Sequence, residues 1–523
     1  MYAAEIFYRN KLRGPPMLRS ILSYLDTAAD IYNSRTVYTD GADEISFAQL
    51  RAAAASVGTA VASAEKEERP VAVLTGRHVY TPACYLGIAM AGCFYAPMDP
   101  GVPDSRLRQI LDVAKPDTLI ADREHAEKAG ELGYTGRLII MEEAMETAAD
   151  EAVLAERRSA ITETTPLYIL FTSGSTGKPK GVLTSHLAVI CYLDGLQEVI
   201  RLKEEDILGN QAPLDYIAAI RDMYLPLMTG AKTVMLHPNE FAMPQNLIGS
   251  LQKAGVTTLC WSATGLEIPA RLGVFDDTEN MPALPPLKRV VFSGSVISNP
   301  LLRKWQEAFP DTTFINQYGP TEATGSCTYY VIDHAVQDDE IIPIGKPYNH
   351  YMIDLLTEDG RHAEPGETGE ICVRGPALAL GYYDAPEQTE KNFVISPVHG
   401  HWKEPMYRTG DLGRMGEDGQ LYFLGRKDRQ FKHLGHRIEP EEIEQKASLL
   451  DGVEECACTY NAERKAIHLF YKGSATPKEI SLFLRAELPS FMSPRKLTAM
   501  DELPRLPNGK LDRKKLEELT QGR

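Results

Sequence analysis

The residues best equipped for chemistry stand together in Leu170-Phe-Thr-Ser-Gly-Ser-Thr-Gly-Lys-Pro-Lys-Gly-Val182. Thr172, Ser173, Ser175 and Thr176 supply hydroxyl donors, Gly174 and Gly177 let backbone N–H groups approach an anion, and Lys178 and Lys180 add positive charge. Such a segment suits a polyphosphate. It is not a Walker loop: the spacing G-x-x-x-x-G-K-[ST] needs glycine at Thr172 and a hydroxyl after Lys178, where Pro179 stands. Taken alone, a flexible surface turn is the competing reading of this run.

A phosphate loop needs rigid elements behind it. Between about residues 37 and 424, β-branched or aromatic runs at 71–74, 118–121, 138–141, 167–171, 233–236 and 289–292 alternate with helical patterns such as 46–63 and 104–114. This alternation predicts an α/β fold of parallel-rich sheets covered by helices, with a smaller β subdomain. After Gly425 the texture changes to a charged run, Arg426-Lys-Asp-Arg-Gln-Phe-Lys432, and then to a compact tail. In the tail a strand is expected over 466–471, and Thr476-Pro-Lys-Glu479 is a capping box with proline at the first helical position. A boundary near Asp428 divides the chain into a large unit, 1–427, and a small α+β unit, 428–523. Proline, glycine and basic residues over 503–513 predict a mobile surface loop.

At 523 residues the chain is long enough for two or more cores. Its 43 % hydrophobic and 24 % charged residues are globular proportions, which exclude collagen-like, coiled-coil and mainly disordered classes. A formal charge of −17 disfavours nucleic acid or anionic lipid as a main partner. The eight cysteines form no Cys-x-x-Cys pair, so neither a zinc site nor a disulfide framework is expected, and residues 1–13 carry no signal-peptide pattern. Both point to the cytoplasm. Residues 79–98 are uncharged and about long enough to span a bilayer, but Pro82, Gly87, Gly92 and Pro97 favour a buried helix with a following strand over a membrane span.

The loop resembles the phosphate-binding signature of the adenylate-forming superfamily, which includes acyl-CoA ligases, luciferases and nonribosomal peptide adenylation domains. Five further motifs follow in that superfamily's order: Asn316-Gln-Tyr-Gly-Pro-Thr-Glu322, Gly369-Glu-Ile-Cys-Val-Arg-Gly375, Tyr407-Arg-Thr-Gly-Asp-Leu-Gly413, Gly425-Arg-Lys-Asp-Arg-Gln-Phe-Lys432 with Gly435-His-Arg-Ile-Glu-Pro-Glu-Glu-Ile-Glu444, and Pro507-Asn-Gly-Lys-Leu-Asp-Arg513. The resemblance implies ATP and Mg2+ as cofactors. Tyr318, followed by Gly319, would stack on adenine, Thr321 would bond the α-phosphate, Glu322 would hold magnesium, and Asp411 with Arg426 would take the ribose. It makes Lys510 the catalytic lysine between the substrate carboxylate and the α-phosphate, where a cation stabilises two anions brought together. Asp428 resembles the hinge about which the small unit turns between adenylation and thiol transfer.

The same resemblance outlines an acid pocket of Ile217, Ala218, Arg221, Cys260, Val291, Ser293, Gln317, Gly325 and Ser326. Ile217 stands where amino-acid-activating relatives carry the aspartate that pairs with an α-ammonium, so ordinary α-amino acids are doubtful. Asp215, two residues upstream, is available for a displaced amine. Arg221 suits an acidic substrate if it points inward and is a snorkelling surface residue if it does not. The expected function is ATP-dependent activation of an amino acid, non-α such as a β-amino acid, as aminoacyl-AMP. The acyl group then passes to the phosphopantetheine thiol of an acyl or peptidyl carrier protein in trans. The alternative is an aryl- or alkyl-carboxylate:CoA ligase, and a third reading is a catalytically silent nucleotide-binding member of the fold.

Overall fold

Local hydrogen bonds decide where the helices begin. The Ser46 hydroxyl accepts the Gln49 N–H while the Gln49 side chain accepts the Ser46 N–H, which opens helix Phe47–Ala62. Thr476 and Glu479 make the same reciprocal pair before helix Pro477–Glu487, as the capping box predicts. The computed structural model describes residues 20–66, 68–174, 178–276, 283–398, 400–506 and 511–522.

The fold is α/β with parallel-rich sheets. A seven-stranded sheet runs in the order Gly381–Tyr382, Lys180–Ser185, Pro166–Thr172, Phe94–Met98, Pro70–Leu74, Thr118–Ala121 and Arg137–Ile140, and its last five strands are parallel. A nine-stranded sheet has six parallel strands at its centre, Thr313–Tyr318, Arg289–Ser293, Thr258–Ser262, Ile207–Asn210, Lys232–Met235 and Thr36–Thr39, with antiparallel strands at both edges. A third, antiparallel sheet contains Met352–Leu356, Gly369–Arg374, Pro405–Met415, Phe393–Ile395 and Leu421–Arg426. The predicted strand at 138–141 is one residue off: it spans Arg137–Ile140, and Met141 opens helix Met141–Glu146 because its side chain is needed in the core.

After Arg426 the chain builds a hairpin, Phe431–His433 with His436–Ile438, and a three-stranded sheet of Val453–Asn461, Ala466–Gly473 and Lys496–Ala499. Helices Pro440–Ala447 and Pro477–Glu487 cover that sheet and share a core of their own with it, in which Ile443, Leu469, Ile480 and Leu484 are fully buried.

The uncharged run at 79–98 folds as helix Thr81–Met90 followed by strand Phe94–Met98, and all ten residues of the helix are buried. A helix enclosed on every face has no use for charge. Among the described residues no helix is long and apolar enough to cross a membrane. Helix Thr81–Met90 meets helix Phe47–Ala62 at Gly87, where a Cβ would lie 2.7 Å from the Ala54 carbonyl oxygen and 2.8 Å from the Val57 Cβ. Gly87→Ala is therefore expected to cost about 1–3 kcal/mol through overpacking, read as a lower unfolding midpoint. Gly130→Ala, with nothing within 4 Å of the added carbon, is the control and should not fall.

Candidate active site

Strands Pro166–Thr172 and Lys180–Ser185 pair antiparallel with Thr172 opposite Lys180, so the polar segment connects two adjacent strands. At Gly174 a Cβ would sit 2.1 Å from the Lys178 carbonyl oxygen, which leaves space for glycine alone. Ser175, Thr176 and Gly177 lie outside the described residues, and so does Lys510. Lys178 is exposed. Lys180 points inward: its Nζ is 3.7 Å from the Glu439 carboxylate and 5.8 Å from the Tyr382 ring centroid. Burial holds its pKa below the usual lysine value.

Strand Thr313–Tyr318 delivers Tyr318, and the chain continues through Gly319 and Pro320 into the short turn Thr321–Ala323. The Tyr318 hydroxyl donates to Asp411 at 2.5 Å. Asp411 faces Arg426 across paired strands and forms an ion pair with it, and Arg426 also holds Asp428 at 2.6 Å and 2.7 Å. The structure thus strings Tyr318, Asp411, Arg426 and Asp428 into one network. Lys432, from the small unit, lies 5.9 Å from the Tyr318 ring centroid, within cation–π range.

Glu322 has no exposed surface. Its oxygens accept from the Arg437 guanidinium at 3.0 Å and 3.2 Å, and one also accepts from the Tyr382 hydroxyl at 2.7 Å. Burial alone would raise the Glu322 pKa, but Arg437 and Tyr382 outweigh it and hold the carboxyl ionised, below its ordinary value. Arg437 belongs to the hairpin of the small unit, and its carbonyl oxygen accepts from the Ser173 hydroxyl at 2.6 Å. Next to it, the Gly435 carbonyl accepts from Tyr216 at 2.6 Å, and the His436 ring stacks 3.8 Å from Phe491. Burial pushes the His436 pKa down to about 4, so this imidazole is neutral at physiological pH.

Two cavities adjoin and share Pro213, Tyr216, Thr321, His436 and Arg437 in their walls. The smaller, of about 100 Å3, is lined by Ile217, Ala218, Arg221, Ser293, Gly325 and Ser326 together with Gly319, Asp411 and Arg426. The larger, of about 900 Å3, lies between the units and is lined by Thr172, Ser173, Asp99, Asp215 and His436, among others. Asp215 is therefore placed in the larger cavity and not among the residues of the smaller one. Its carboxyl is pushed up to about 7, first by burial and then by Asp99.

Arg221 points inward, 2 % exposed on helix Ala219–Thr229. It donates to the Cys260 carbonyl at 2.5 Å and to Gln317 Oε1 at 3.4 Å. Its Nε has no hydrogen-bond partner among the described residues, with Asp222 3.9 Å away. Desolvation opposes its charge, but Cys260, Tyr192 and Asp222 outweigh that and keep it protonated. Cys260 and Gln317 stand behind Arg221, and Val291, paired with Cys260 across adjacent strands, is fully buried.

Sequence reasoning did not single out Arg437, Glu439, Lys432 or Tyr382. The first three stand in the quoted motif segments around 425–444, but nothing local to those segments says which groups of the other unit they meet. Tyr382 has no motif signal at all.

The family model for AMP-binding enzymes matches residues 25–383. The chain is 32 % identical over 449 residues to a D-alanine–D-alanyl carrier protein ligase of Bacillus cytotoxicus, covering 83 % of this chain and 86 % of that protein. It is 31 % identical over 455 residues to tyrocidine synthase 2 of Brevibacillus parabrevis, covering 85 % of this chain but only 12 % of that much longer protein. Among solved structures, holo-PA1221, a nonribosomal peptide synthetase protein containing adenylation and PCP domains, superposes with a TM-score of 0.80 at 24 % identity, covering 95 % of this chain and 84 % of that one. This chain belongs to the family of AMP-binding enzymes and is an ATP-dependent adenylate-forming ligase.

Proposed function

We propose that the chain converts a carboxylic acid and ATP into an acyl-adenylate and then passes the acyl group to the phosphopantetheine thiol of a separate carrier protein. The observation that carries this reading is the junction, along Tyr216, Thr321, His436 and Arg437, of a small pocket lined by Ile217, Ala218 and Arg221 with a large inter-unit cavity that an arm could enter. The relative whose length the chain nearly spans is named as a carrier protein ligase, which favours a carrier over coenzyme A as acceptor. Glu322 offers magnesium a hard carboxylate beside the phosphate loop, and the ion would complete its shell with phosphate and water oxygens. Bound there, magnesium would neutralise polyphosphate charge. Arg437 now occupies both Glu322 oxygens, so a metal there would compete with the hairpin for this carboxylate. Lys510 is the cation we assign to the adenylation step, Tyr318 to adenine, Asp411 and Arg426 to ribose, and Asp428 to the hinge between units 1–427 and 428–523. The eight cysteines are free and buried, in keeping with a reducing cytoplasm.

The acid in this reading lacks an α-ammonium and carries an anionic or strongly accepting group at its far end. Ile217 offers an ammonium no partner, and the single carboxylate among the described lining residues of the small pocket, Asp411, is already paired with Arg426. The Arg221 Nε–H, in contrast, is buried without an acceptor among the described residues. A second reading, a non-α amino acid whose amine meets Asp215, draws on that carboxyl's raised pKa, the mark of a buried anion in want of a cation.

Acid-dependent pyrophosphate exchange across dicarboxylic, aryl, fatty, α-amino and β-amino acids separates these readings. The largest exchange is expected from an acid with a distal acceptor, and Arg221→Ala should lower its kcat/KM by roughly two orders of magnitude, the ~3 kcal/mol scale of a truncated buried charge pair. Exchange with β-amino acids that disappears in Asp215→Asn would establish the second reading instead. Lys510→Ala should reduce exchange roughly 100- to 1,000-fold while nucleotide binding by calorimetry persists. Arg437→Ala is expected to do the opposite, sparing exchange and slowing transfer to holo-carrier protein by roughly tenfold or more; equal losses in both half-reactions would refute its assignment to the transfer state.

A further inference from the structure

The turn between strands Val453–Asn461 and Ala466–Gly473 carries a lysine across the seam. Lys465 reaches Glu267 of helix Ala263–Arg271 and forms an ion pair with it. Glu267 is 3 % exposed, and the large unit supplies little to balance its charge. One carboxylate oxygen accepts the Ser298 N–H at 2.8 Å, a neutral donor. The other faces Arg271 at 3.6 Å, but that side chain is 61 % exposed and screened by solvent. A buried carboxylate so placed wants a cation, and the small unit brings it.

Lys465 is held ready for this contact. Its backbone lies in the left-handed region, at φ 46°, which a non-glycine residue adopts only under restraint. The restraint comes from Asn461, whose side chain accepts the Arg464 N–H at 2.8 Å and donates to the Thr520 carbonyl of helix Arg513–Gln521 at 2.9 Å.

The helix that carries Glu267 also supports the hairpin of the small unit. Its N-cap is Ser262, whose hydroxyl accepts the Gly265 N–H at 3.1 Å. A Cβ on Gly435 would lie 3.2 Å from the Ser262 Cβ, and one on Gly294 would lie 3.7 Å from the Gly435 Cα, so the hairpin backbone rests directly on these two residues. Glu267 follows Ser262 by about one and a half helical turns. One helix therefore touches the small unit twice, at Gly435 and at Lys465. The pairs Arg106–Glu442, Lys180–Glu439 and Arg437–Glu322 draw their small-unit partners from the single stretch 437–442. A contact through a different element restrains tilting about that stretch.

From this arrangement we propose that Lys465 and Glu267 are positioning residues for thiol transfer: their ion pair latches the small unit in the orientation that sets Gly435 and His436 in the cavity walls. The inference rests on the thiol-transfer reading above. Neither side chain lines either cavity, so the pair touches no reactant and acts through the hairpin.

The test measures the two half-reactions separately: pyrophosphate exchange with the acid that supports it and, once acyl-adenylate has formed, single-turnover thioester formation with pantetheine. Lys465→Met should slow thioester formation roughly tenfold, within the range of coupling between contacting residues, and leave exchange within about twofold. Lys465→Arg should keep most of the transfer rate. Glu267→Gln, which retains an acceptor for the Ser298 N–H, should match Lys465→Met, and the double variant should be no slower than either single one. If Glu267→Gln does not fold, Lys465→Glu serves in its place: like charges there should slow transfer further while exchange persists. Equal losses in both half-reactions, losses that multiply in the double variant, or unchanged transfer in Lys465→Met each overturn the latch. A wild type that forms acyl-adenylate but no thioester with pantetheine, holo-carrier protein or coenzyme A overturns the thiol-transfer reading, and the latch with it.

Discussion

A carboxylate with no surface in water stays ionised only when a cation meets it, and Glu322 is held in that condition. The cation comes from the other unit. Arg437 reaches across the seam to both Glu322 oxygens, so the electrostatic need of one side chain ties two separately cored bodies together. Arg106 with Glu442 and Lys180 with Glu439 repeat the pattern nearby, each crossing the same seam with both side chains mostly out of water. Pairs of this kind contribute more to a defined orientation than to net stability, because desolvation offsets most of the Coulomb gain.

The groups engaged by the hairpin are also those best suited to a polyphosphate. Ser173 bonds the Arg437 carbonyl, Lys180 faces Glu439, and Glu322 faces Arg437. A polyphosphate and its metal would compete with the hairpin for these same groups. Electrostatics therefore links the position of the small unit to the chemistry of the large one. In the arrangement described, Ser173, Lys180 and Glu322 are engaged by the hairpin, and Thr321 lines the inter-unit cavity.

Local physics was legible in the residues. Alternating apolar runs located the parallel strands to within a residue or so, Met141 being the kind of end-of-strand error that core packing decides. The capping pairs at Ser46 and Thr476 are written in residue types three apart, and the uncharged 79–98 run declared a helix and strand enclosed on all sides. The hydroxyl-, glycine- and lysine-rich segment was legible from its residue types, and the structure sets it between two paired strands.

What the sequence determined by itself, then, is everything set by dihedral preference, hydrophobic period and motif order: the element types, the α/β class and the membership of a family. Only tertiary structure decided that Arg221 faces inward with an Nε that no described residue accepts, that Asp215 lines the larger cavity while Ile217 lines the smaller, and that Arg437 lands on Glu322. Asp215 and Ile217 are two residues apart, yet they open onto different spaces because the irregular backbone between Pro213 and the helix Ala219–Thr229 turns their side chains apart. Arg437 and Glu322 are separated by 115 residues, and no local preference specifies which buried anion a distant cation will neutralise when two independently packed units come together.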